Sequence, residues 1–295
     1  HTMYEDYVHY ITKGYFNGAS KKIVEYLTKF YCDKTTTELI VPTKKTYDLF
    51  KKKYGVDRNI HIIPTGIEVE RFYRENFSSS ELEETRKILG FSKEDVIMLF
   101  VGRMGKEKSV DFLIDAQKEI VKQCPKVKFL LIGDGPYLES LQKQAVQEHL
   151  QKSVVFMGKV PWDNIPKYYA LSDLFVTAST TETQGLTVIE AMAASLPVVA
   201  INDESFNQVV IHDLNGKIFE NKKEYIKCVV SLVQDSKERN RMGKQARISA
   251  EKHSTKYFAE QVLDVYKLAI GKENVKDRRF FTRLKNVIKR GFHGK

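Results

Sequence analysis

Residues 96–102 form the run Val96-Ile97-Met98-Leu99-Phe100-Val101-Gly102, six consecutive apolar side chains followed by a glycine. An unbroken apolar run of this length is typical of a β-strand that is buried on both faces of a parallel sheet. A helical pattern follows, in which apolar residues recur on one side between Val110 and Val121. A strand followed directly by an amphipathic helix predicts one βα unit of an α/β domain.

The same alternation continues along the chain. Four more strands and three more helices are predicted, with strands at 128–132, 154–156, 174–176 and 198–200 and helices at 137–148, 164–170 and 186–194. Alternating units of this kind build a doubly wound parallel sheet, which binds ligands at the carboxyl ends of its strands. The sequence therefore predicts one Rossmann-like domain over residues 76–253.

The first 75 residues do not form a second domain of that size. Helices are predicted near 4–30 and 43–53, but strands only at 39–41 and 60–63. A sheet of two short strands is too small to be stable alone. We therefore expect this region to be the last part of a truncated second Rossmann-like domain.

Charge and composition exclude several classes of protein. The net charge is +10, but nine Lys and Arg against two acidic residues fall within 272–295. A nucleic-acid-binding protein usually carries its basic surface on a folded domain, so this distribution argues against a nucleic-acid partner. No apolar run approaches the roughly 20 residues of a membrane-spanning helix. Cys32, Cys124 and Cys228 are far apart and odd in number, which predicts reduced, buried thiols in a cytosolic protein.

A first candidate binding loop follows the apolar run. Arg103 and Lys108 stand five residues apart across this loop, between a predicted strand and the next helix. Two cations and a helix N-terminus at that edge of a sheet would suit a diphosphate. The loop lacks the glycine spacing of a P-loop. For this loop taken alone, a solvated basic turn is the alternative.

A second candidate loop, at 133–136, also follows a strand and precedes a helix, and it has the sequence Gly-Asp-Gly-Pro. Its glycines would let a ligand approach the backbone closely, and Asp134 could cap the following turn. The alternative is a turn with good capping chemistry and no ligand.

The third loop is the most informative, because it places two carboxylates around one helix start. Glu182 precedes the helix predicted at 186–194, and Glu190 lies inside it, a little over two helical turns further on. Residues 184–186 would form the helix N-terminus, whose free N–H groups suit a phosphate or a sugar hydroxyl. A carboxylate within an apolar helix needs a partner to justify its burial, which favours a ligand site over two surface glutamates.

In this order and spacing, the motifs resemble those of the retaining glycosyltransferases of family 4, which have the GT-B fold. The elements that carry the resemblance are Gly-Arg-x4-Lys at 102–108, Gly-Asp-Gly-Pro at 133–136, Glu-x7-Glu at 182–190, Asp-Leu-Asn-Gly at 213–216 and the linker Ile-Pro-Thr-Gly-Ile-Glu at 63–68. The resemblance covers about 60–271 and implies an α/β, GT-B-like architecture. Residues 1–75 would then be the end of an acceptor domain with the interdomain linker, 76–253 the nucleotide-sugar domain, and 254–271 a crossover helix that returns to the first domain.

The resemblance also implies roles for single residues. Arg103 and Lys108 would hold the donor diphosphate, Glu182 would contact hydroxyls of the donor sugar, and Glu190 would bind those of the ribose. Further contacts to the donor would come from the surrounding loops, at Gly102, Gly133, Asp134, Gly135, Thr183, Gln184, Gly185 and Leu186. A histidine of the first domain is expected near the transferred sugar, and His1 is the candidate. The alternative for His1 is an unimportant terminal side chain.

Two strings narrow the expected substrate. Thr-Glu-Thr-Gln-Gly-Leu-Thr at 181–187 and His-Thr-Met-Tyr-Glu-Asp-Tyr at 1–7 resemble bacterial glycolipid synthases, in particular the diacylglycerol glucosyltransferases of Gram-positive bacteria. The resemblance implies transfer of glucose from UDP-glucose to a membrane lipid, with 1,2-diacylglycerol as the expected acceptor. Two alternatives remain, a transferase of capsule or cell-wall polysaccharide and a non-catalytic nucleotide-sugar-binding module.

The sequence contains no Asp-x-Asp motif and no His/Cys cluster with the spacing of metal ligands. We therefore expect no metal or other cofactor. As the resemblance implies, Arg103 and Lys108 would replace a metal ion in stabilising the leaving diphosphate.

The tail at 277–292 is predicted to form an amphipathic helix. One side would carry Phe280, Phe281, Leu284, Val287, Ile288 and Phe292, and the other Arg278, Arg279, Arg283, Lys285, Lys289 and Arg290. Apolar area and positive charge add together in a helix that lies on an anionic membrane surface. We therefore expect a peripheral protein on the inner, cytoplasmic face of the cell membrane. The alternative is that the apolar side docks on the first domain.

Overall fold

The computed structural model describes residues 17–272, and the side chains of residues 22–272. Three expectations from the sequence lie outside the described residues: His1 with the opening string at 1–7, the first part of the helix near 4–30, and the amphipathic tail at 277–292. Within the described residues, no helix is both long enough and apolar enough to cross a bilayer.

The first part of the chain forms two helices and two short strands. They are α1 (Asn17–Thr35), β1 (Glu38–Val41), α2 (Lys44–Asp48), which continues into a π-helical turn at Leu49–Lys53, and β2 (Asn59–Ile62). The strands pair in parallel, with Leu39 opposite Ile60. A small apolar cluster of Cys32, Tyr54 and Val56 joins these elements. The strands and the second helix lie where the sequence predicts them.

The remaining described chain forms the larger unit. Its strands are β3 (Val96–Val101), β4 (Val127–Ile132), β5 (Val154–Gly158), β6 (Leu174–Thr177), β7 (Val198–Ile201) and β8 (Gly216–Phe219). Its helices are α3 (Ser79–Ile88), α4 (Val110–Gln123), α5 (Leu138–Gln147), α6 (Ile165–Leu171), α7 (Leu186–Ala193), α8 (Lys222–Gln234) and α9 (Ser236–Ala250). A last helix, α10, spans 255–272.

These six strands form one sheet in the order β5-β4-β3-β6-β7-β8, and every neighbouring pair is parallel. The chain winds outward from β3 in one direction and then outward from β6 in the other. The order therefore reverses between β3 and β6, as in a doubly wound dinucleotide-binding sheet. The predicted fold class is confirmed, although β8 and the helices α3, α8 and α9 were not foreseen.

The apolar run of β3 is continuous because both faces of the sheet are covered. Ile97 and Leu99 point into a core with α7 and α9, whereas Met98 and Phe100 point into a second core with α4, α5 and α8. All four side chains are at most 2% exposed. Complete burial of one such side chain contributes about 1.5–3 kcal/mol. The three cysteines are also buried and unpaired, as predicted.

The loops after β3 and β4 pack backbone against backbone. Gly133 has φ +139°, and a Cβ atom there would lie 1.8 Å from the carbonyl oxygen of Gly102. Gly135 faces the carbonyl oxygen of Met104 in the same way, at 2.5 Å from a built Cβ atom. Met104 N–H donates to the Asp134 carbonyl at 2.9 Å. The expectation that these glycines admit a ligand is therefore incomplete, because the neighbouring loop already requires both of them.

The chain crosses between its two parts at paired segments. Ile67 N–H donates to the His253 carbonyl and the Ile67 carbonyl accepts from Thr255 N–H, at 2.9 and 3.0 Å. Gly66 lies against the start of α10, where a Cβ atom would meet Phe258. At its other end α10 reaches the first part of the chain, where Lys272 forms an ion pair with Glu38 of β1. The crossover helix thus contacts both parts.

We expect the substitution Gly133→Ala to lower the free energy of unfolding by about 3 kcal/mol, because it adds backbone strain and a contact that no side-chain movement can relieve. Gly90→Ala is the matched control, since Gly90 also has a positive φ, +72°, but no atom lies within 4 Å of its built Cβ. That control should cost about 1 kcal/mol. Urea unfolding measures both, and equal losses would contradict the loop packing described here.

Candidate functional site

A cavity of about 180 Å³ lies at the carboxyl ends of β3 and β6, where the strand order reverses. Open α/β sheets bind their ligands at this kind of crevice. The cavity is surrounded by the ends of β3 and β6, by Lys108 and by the start of α7. Its lining residues are Phe100, Val101, Gly102, Lys108, Thr177, Glu182, Thr183, Gln184, Gly185, Leu186 and Thr187. Seven of the residues predicted from the sequence therefore line one cavity.

One ion pair joins the two loops that border this cavity. The ammonium group of Lys108, from the loop after β3, contacts the carboxylate of Glu182, from the loop after β6. The two side chains are 15% and 22% exposed, so solvent screens the pair only in part. The sequence predicts both residues for the site but gives no sign that they contact each other.

The N-terminus of α7 forms one wall of the cavity. Gly185 precedes the helix with φ +72°, and no side chain caps it. A Cβ atom at Gly185 would lie 2.5 Å from the ring of Phe206, so both the backbone conformation and the available space require glycine. The first N–H groups of an uncapped helix carry partial positive charge and bind anions well. This wall can therefore hold a phosphate group.

A second cavity, of about 270 Å³, continues from the first along the end of β3. The two share Val101 and Gly102, and the second adds Arg103, Gly133 and Asp134. The remaining lining residues are Ile132, Lys159, Val160 and Ile165. The shared residues place the two cavities side by side, and together they form one cleft at the end of β3.

Arg103 borders the second cavity and contacts a carboxylate of its own loop. Its guanidinium lies 2.5 Å from Glu107, and the Arg103 side chain is 41% exposed. Asp134 accepts a hydrogen bond from the N–H of Gly135 at 2.7 Å, whereas α5 starts later, after Tyr137 and without a side-chain cap. Asp134 therefore shapes its own loop and does not cap the helix.

Glu190 lies one turn further along α7, and neither cavity includes it in its lining. Tyr169, fully buried, donates a hydrogen bond to its carboxylate at 2.7 Å. Burial raises the pKa of Glu190, and the bond from Tyr169 opposes that rise. A carboxylate within an apolar helix was expected to have a ligand as its partner. The partner of Glu190 is instead Tyr169 of the protein itself, which reaches the carboxylate from α6.

The side chain of Gln184 is engaged within the protein. Its amide oxygen accepts from Thr65 N–H at 2.9 Å and its amide nitrogen donates to the Thr65 carbonyl at 3.0 Å. Gln184 is 2% exposed. The sequence predicts Gln184 as a backbone contact to the donor, but its side chain fastens the segment at 63–68 to the loop after β6.

The Asp-Leu-Asn-Gly motif at 213–216 has a structural role. Asn215 is fully buried and bonds to Ile211 N–H, the Val209 carbonyl and the Ser249 hydroxyl, at 2.7, 3.0 and 3.0 Å. Gly216 faces the Val198 carbonyl with no room for a side chain. This motif therefore joins β7, β8 and α9 away from the cleft.

Two predicted residues, Gly135 and Glu190, are not among the residues that line the two cavities. His1 lies outside the described residues. Among residues 17–272, no group of three or more His, Cys, Asp or Glu side chains is arranged to hold a metal ion.

Comparisons with known proteins identify relatives across nearly the whole chain. The family model described as glycosyl transferases group 1 matches residues 81–249. The alpha-monoglucosyldiacylglycerol synthase of Acholeplasma laidlawii is 34% identical over 280 residues, which is 94% of this chain and 70% of that protein. The enzyme of the same name from Streptococcus pneumoniae is 33% identical over 277 residues, 93% of this chain and 61% of that protein.

A solved structure shows the same fold. The Anabaena protein HepE, in complex with UDP and glucose, superimposes with a TM-score of 0.75 at 21% identity, over 82% of this chain and 66% of that one. With its α/β, GT-B-like architecture and these relatives, the chain belongs to the group 1 glycosyltransferases.

Proposed function

We propose that the protein transfers glucose from UDP-glucose to a membrane lipid, 1,2-diacylglycerol, with retention of the anomeric configuration. The observation that carries this proposal is the Lys108–Glu182 ion pair beside the uncapped start of α7, at the switch point of the sheet. A cation and helix N–H groups suit the diphosphate, and the adjacent carboxylate suits sugar hydroxyls. The names of the two synthases support glucose as the sugar and diacylglycerol as the acceptor.

The proposed chemistry needs no metal cofactor. As the bond between the sugar and the diphosphate breaks, negative charge grows on the leaving oxygen, where Lys108, Arg103 and the start of α7 stabilise it. Glu182 accepts hydrogen bonds from the hydroxyls of the sugar and fixes its orientation. The acceptor hydroxyl attacks from the face that the diphosphate leaves, without a covalent enzyme intermediate, and its proton passes to the departing phosphate.

Donor binding requires an exchange of partners. Lys108 and Arg103 contact Glu182 and Glu107, so a diphosphate that binds these cations competes with both carboxylates. An intact sugar nucleotide offers hydroxyl groups to Glu182 in return, whereas UDP does not. The ion pair therefore favours the complete donor over its product.

Arg103→Ala and Lys108→Ala should each weaken UDP binding by about 1–3 kcal/mol, the range for loss of a charge-assisted hydrogen bond. Lys106→Ala is the matched control, because Lys106 is an exposed cation of the same loop and lines neither cavity. Calorimetric titration with UDP measures all three. If the two variants bind UDP as tightly as the control does, the diphosphate assignment is wrong.

Glu182→Gln should weaken binding of UDP-glucose but not of UDP, because it removes a sugar contact and releases Lys108 for the diphosphate. Glu190→Gln should weaken both ligands alike, through loss of the proposed ribose contact. Titration of each variant with both nucleotides separates the two roles, and equal effects of both variants on both ligands would contradict this division.

Thermal unfolding provides the control for misfolding in that experiment. Burial raises the pKa of Glu190, so the ionised carboxylate destabilises the fold. This destabilisation is absent below the unfolded-state pKa of about 4.3 and reaches its full value above the folded-state pKa. Glu190→Gln removes this cost at neutral pH. Its Tm should therefore equal or exceed that of the wild-type protein while its nucleotide affinity falls.

We further propose that the protein is peripheral on the cytoplasmic face of the membrane, held by the basic amphipathic segment at 277–292. Each basic residue near an anionic surface contributes about 1 kcal/mol, so the six in this segment suffice to hold the protein at the membrane without a lipid anchor. This attraction also brings the donor site to the layer in which a lipid acceptor lies.

Sedimentation with liposomes that contain diacylglycerol should show binding that rises with anionic lipid, falls with salt and disappears on deletion of 277–295. With radiolabelled UDP-glucose added, label should enter the diacylglycerol. Equal sedimentation of the deleted form would refute the membrane segment. Label that enters only a polyprenyl-linked glycan would instead favour polysaccharide synthesis.

A further inference from the structure

The loop that carries Glu182 is held from outside by the first part of the chain. This anchored loop, residues 178–185, connects β6 to α7. Lys45 Nζ donates to the Thr180 carbonyl at 2.8 Å, and Thr43 Oγ1 donates to the Thr183 carbonyl at 2.7 Å. Both residues lie at the start of α2 in the first part of the chain, more than a hundred residues away in sequence.

Lys45 also connects this loop to a second segment of the donor domain. Its ammonium group lies 2.8 and 2.9 Å from the two carboxylate oxygens of Asp203. The side chains are 20% and 13% exposed, so the pair is largely shielded from solvent. Ser205, which follows Asp203 and lies 3.3 Å from Lys45, donates from its hydroxyl to the Glu182 carbonyl at 2.6 Å.

These contacts fix the peptide groups on both sides of Glu182. Its own carbonyl is bound by Ser205, and those of Thr180 and Thr183 by Lys45 and Thr43. A side chain placed on a loop is held in a productive geometry only when its backbone is supported. The Lys45 ammonium is the one group here that bonds both to the anchored loop and to the segment that supports it.

We propose that Lys45 is a positioning residue for donor recognition, which acts through the anchored loop to hold the Glu182 carboxylate toward the sugar of the nucleotide sugar. This inference rests on the proposed function for the identity of the ligand. It assigns Lys45 no contact with the donor. The effect should fall on the sugar, because Arg103 and Lys108 belong to a different loop, which Lys45 does not touch.

Lys45→Met should weaken UDP-glucose binding about tenfold, a loss comparable to one charge-assisted contact, and change UDP binding less than about twofold. Lys45→Arg, which keeps the charge and the donors, should restore most of the affinity. Lys44→Met is the matched control, because Lys44 is the neighbouring residue and contacts only Asp48 and Tyr47 of its own helix among the described side chains. Titrations of all four proteins with both ligands overturn the proposal if Lys45→Met and Lys44→Met behave alike.

Loss of stability is separated from loss of positioning by a double variant. Lys45→Met leaves the Asp203 carboxylate without its cation and should lower the Tm. Lys45→Met with Asp203→Asn removes that charge as well, so the Tm should recover while UDP-glucose affinity stays low, since the anchor on Thr180 is still missing. Recovery of affinity together with the Tm, or equal weakening of UDP and UDP-glucose, would show that Lys45 acts only on stability.

Hydrogen exchange of the free protein tests positioning without any ligand. Val188 N–H bonds to the Gly185 carbonyl at the end of the anchored loop, so a loosened loop should speed exchange across 178–190 in Lys45→Met but not in Lys44→Met. Unchanged exchange overturns the inference. If exchange responds but the wild-type protein binds neither nucleotide, the positioning role stands and the proposed donor is wrong.

Discussion

β3 and β6 lie side by side in the sheet although two complete βα units separate them in the chain. The elements that follow β3 wind toward one edge, and those that follow β6 wind toward the other. The loops that leave these two strands therefore diverge, and the space between them cannot be filled by either winding. Lys108 approaches this space from one loop and Glu182 from the other. The topology thus brings together residues that no local pattern connects.

Both cations that the proposed function assigns to the diphosphate form ion pairs within the protein. Each of these contacts is to a carboxylate, so an anion that binds either cation competes with an ion pair of the protein. Affinity for a ligand then depends on how strongly it binds relative to the ion pairs that it replaces. Under the proposed function, a free phosphate would displace Glu182 without offering it a new partner, whereas a sugar nucleotide would supply hydroxyl groups beside the phosphate. Selectivity for the complete donor can therefore arise from the ion pair itself.

Much of the sheet was predictable because its inner strands are largely apolar, as the unbroken run of β3 illustrates. β8 was not predicted because it is an edge strand with a weaker apolar pattern. Its residues Lys217 and Ile218 are only half-buried. The sequence predicts that Gly133 and Gly135 allow a close approach to their backbone. It does not reveal whether a ligand or a neighbouring backbone makes that approach, and here it is the backbone of the loop after β3. The contacts of Lys45 were beyond prediction, because a single lysine far along the chain carries no signal of its partner.

Four hydrogen bonds from three residues hold one short loop to the first part of the chain and to the segment that follows it. The linker peptide at Thr65 pairs with Gln184, while Lys45 and Thr43 hold the neighbouring carbonyls from α2. A displacement of the first part of the chain relative to the sheet must therefore break these bonds or carry the loop along. Either outcome changes the support of the backbone that carries Glu182. The sugar contact proposed for Glu182 therefore depends on the relative positions of the two parts of the chain.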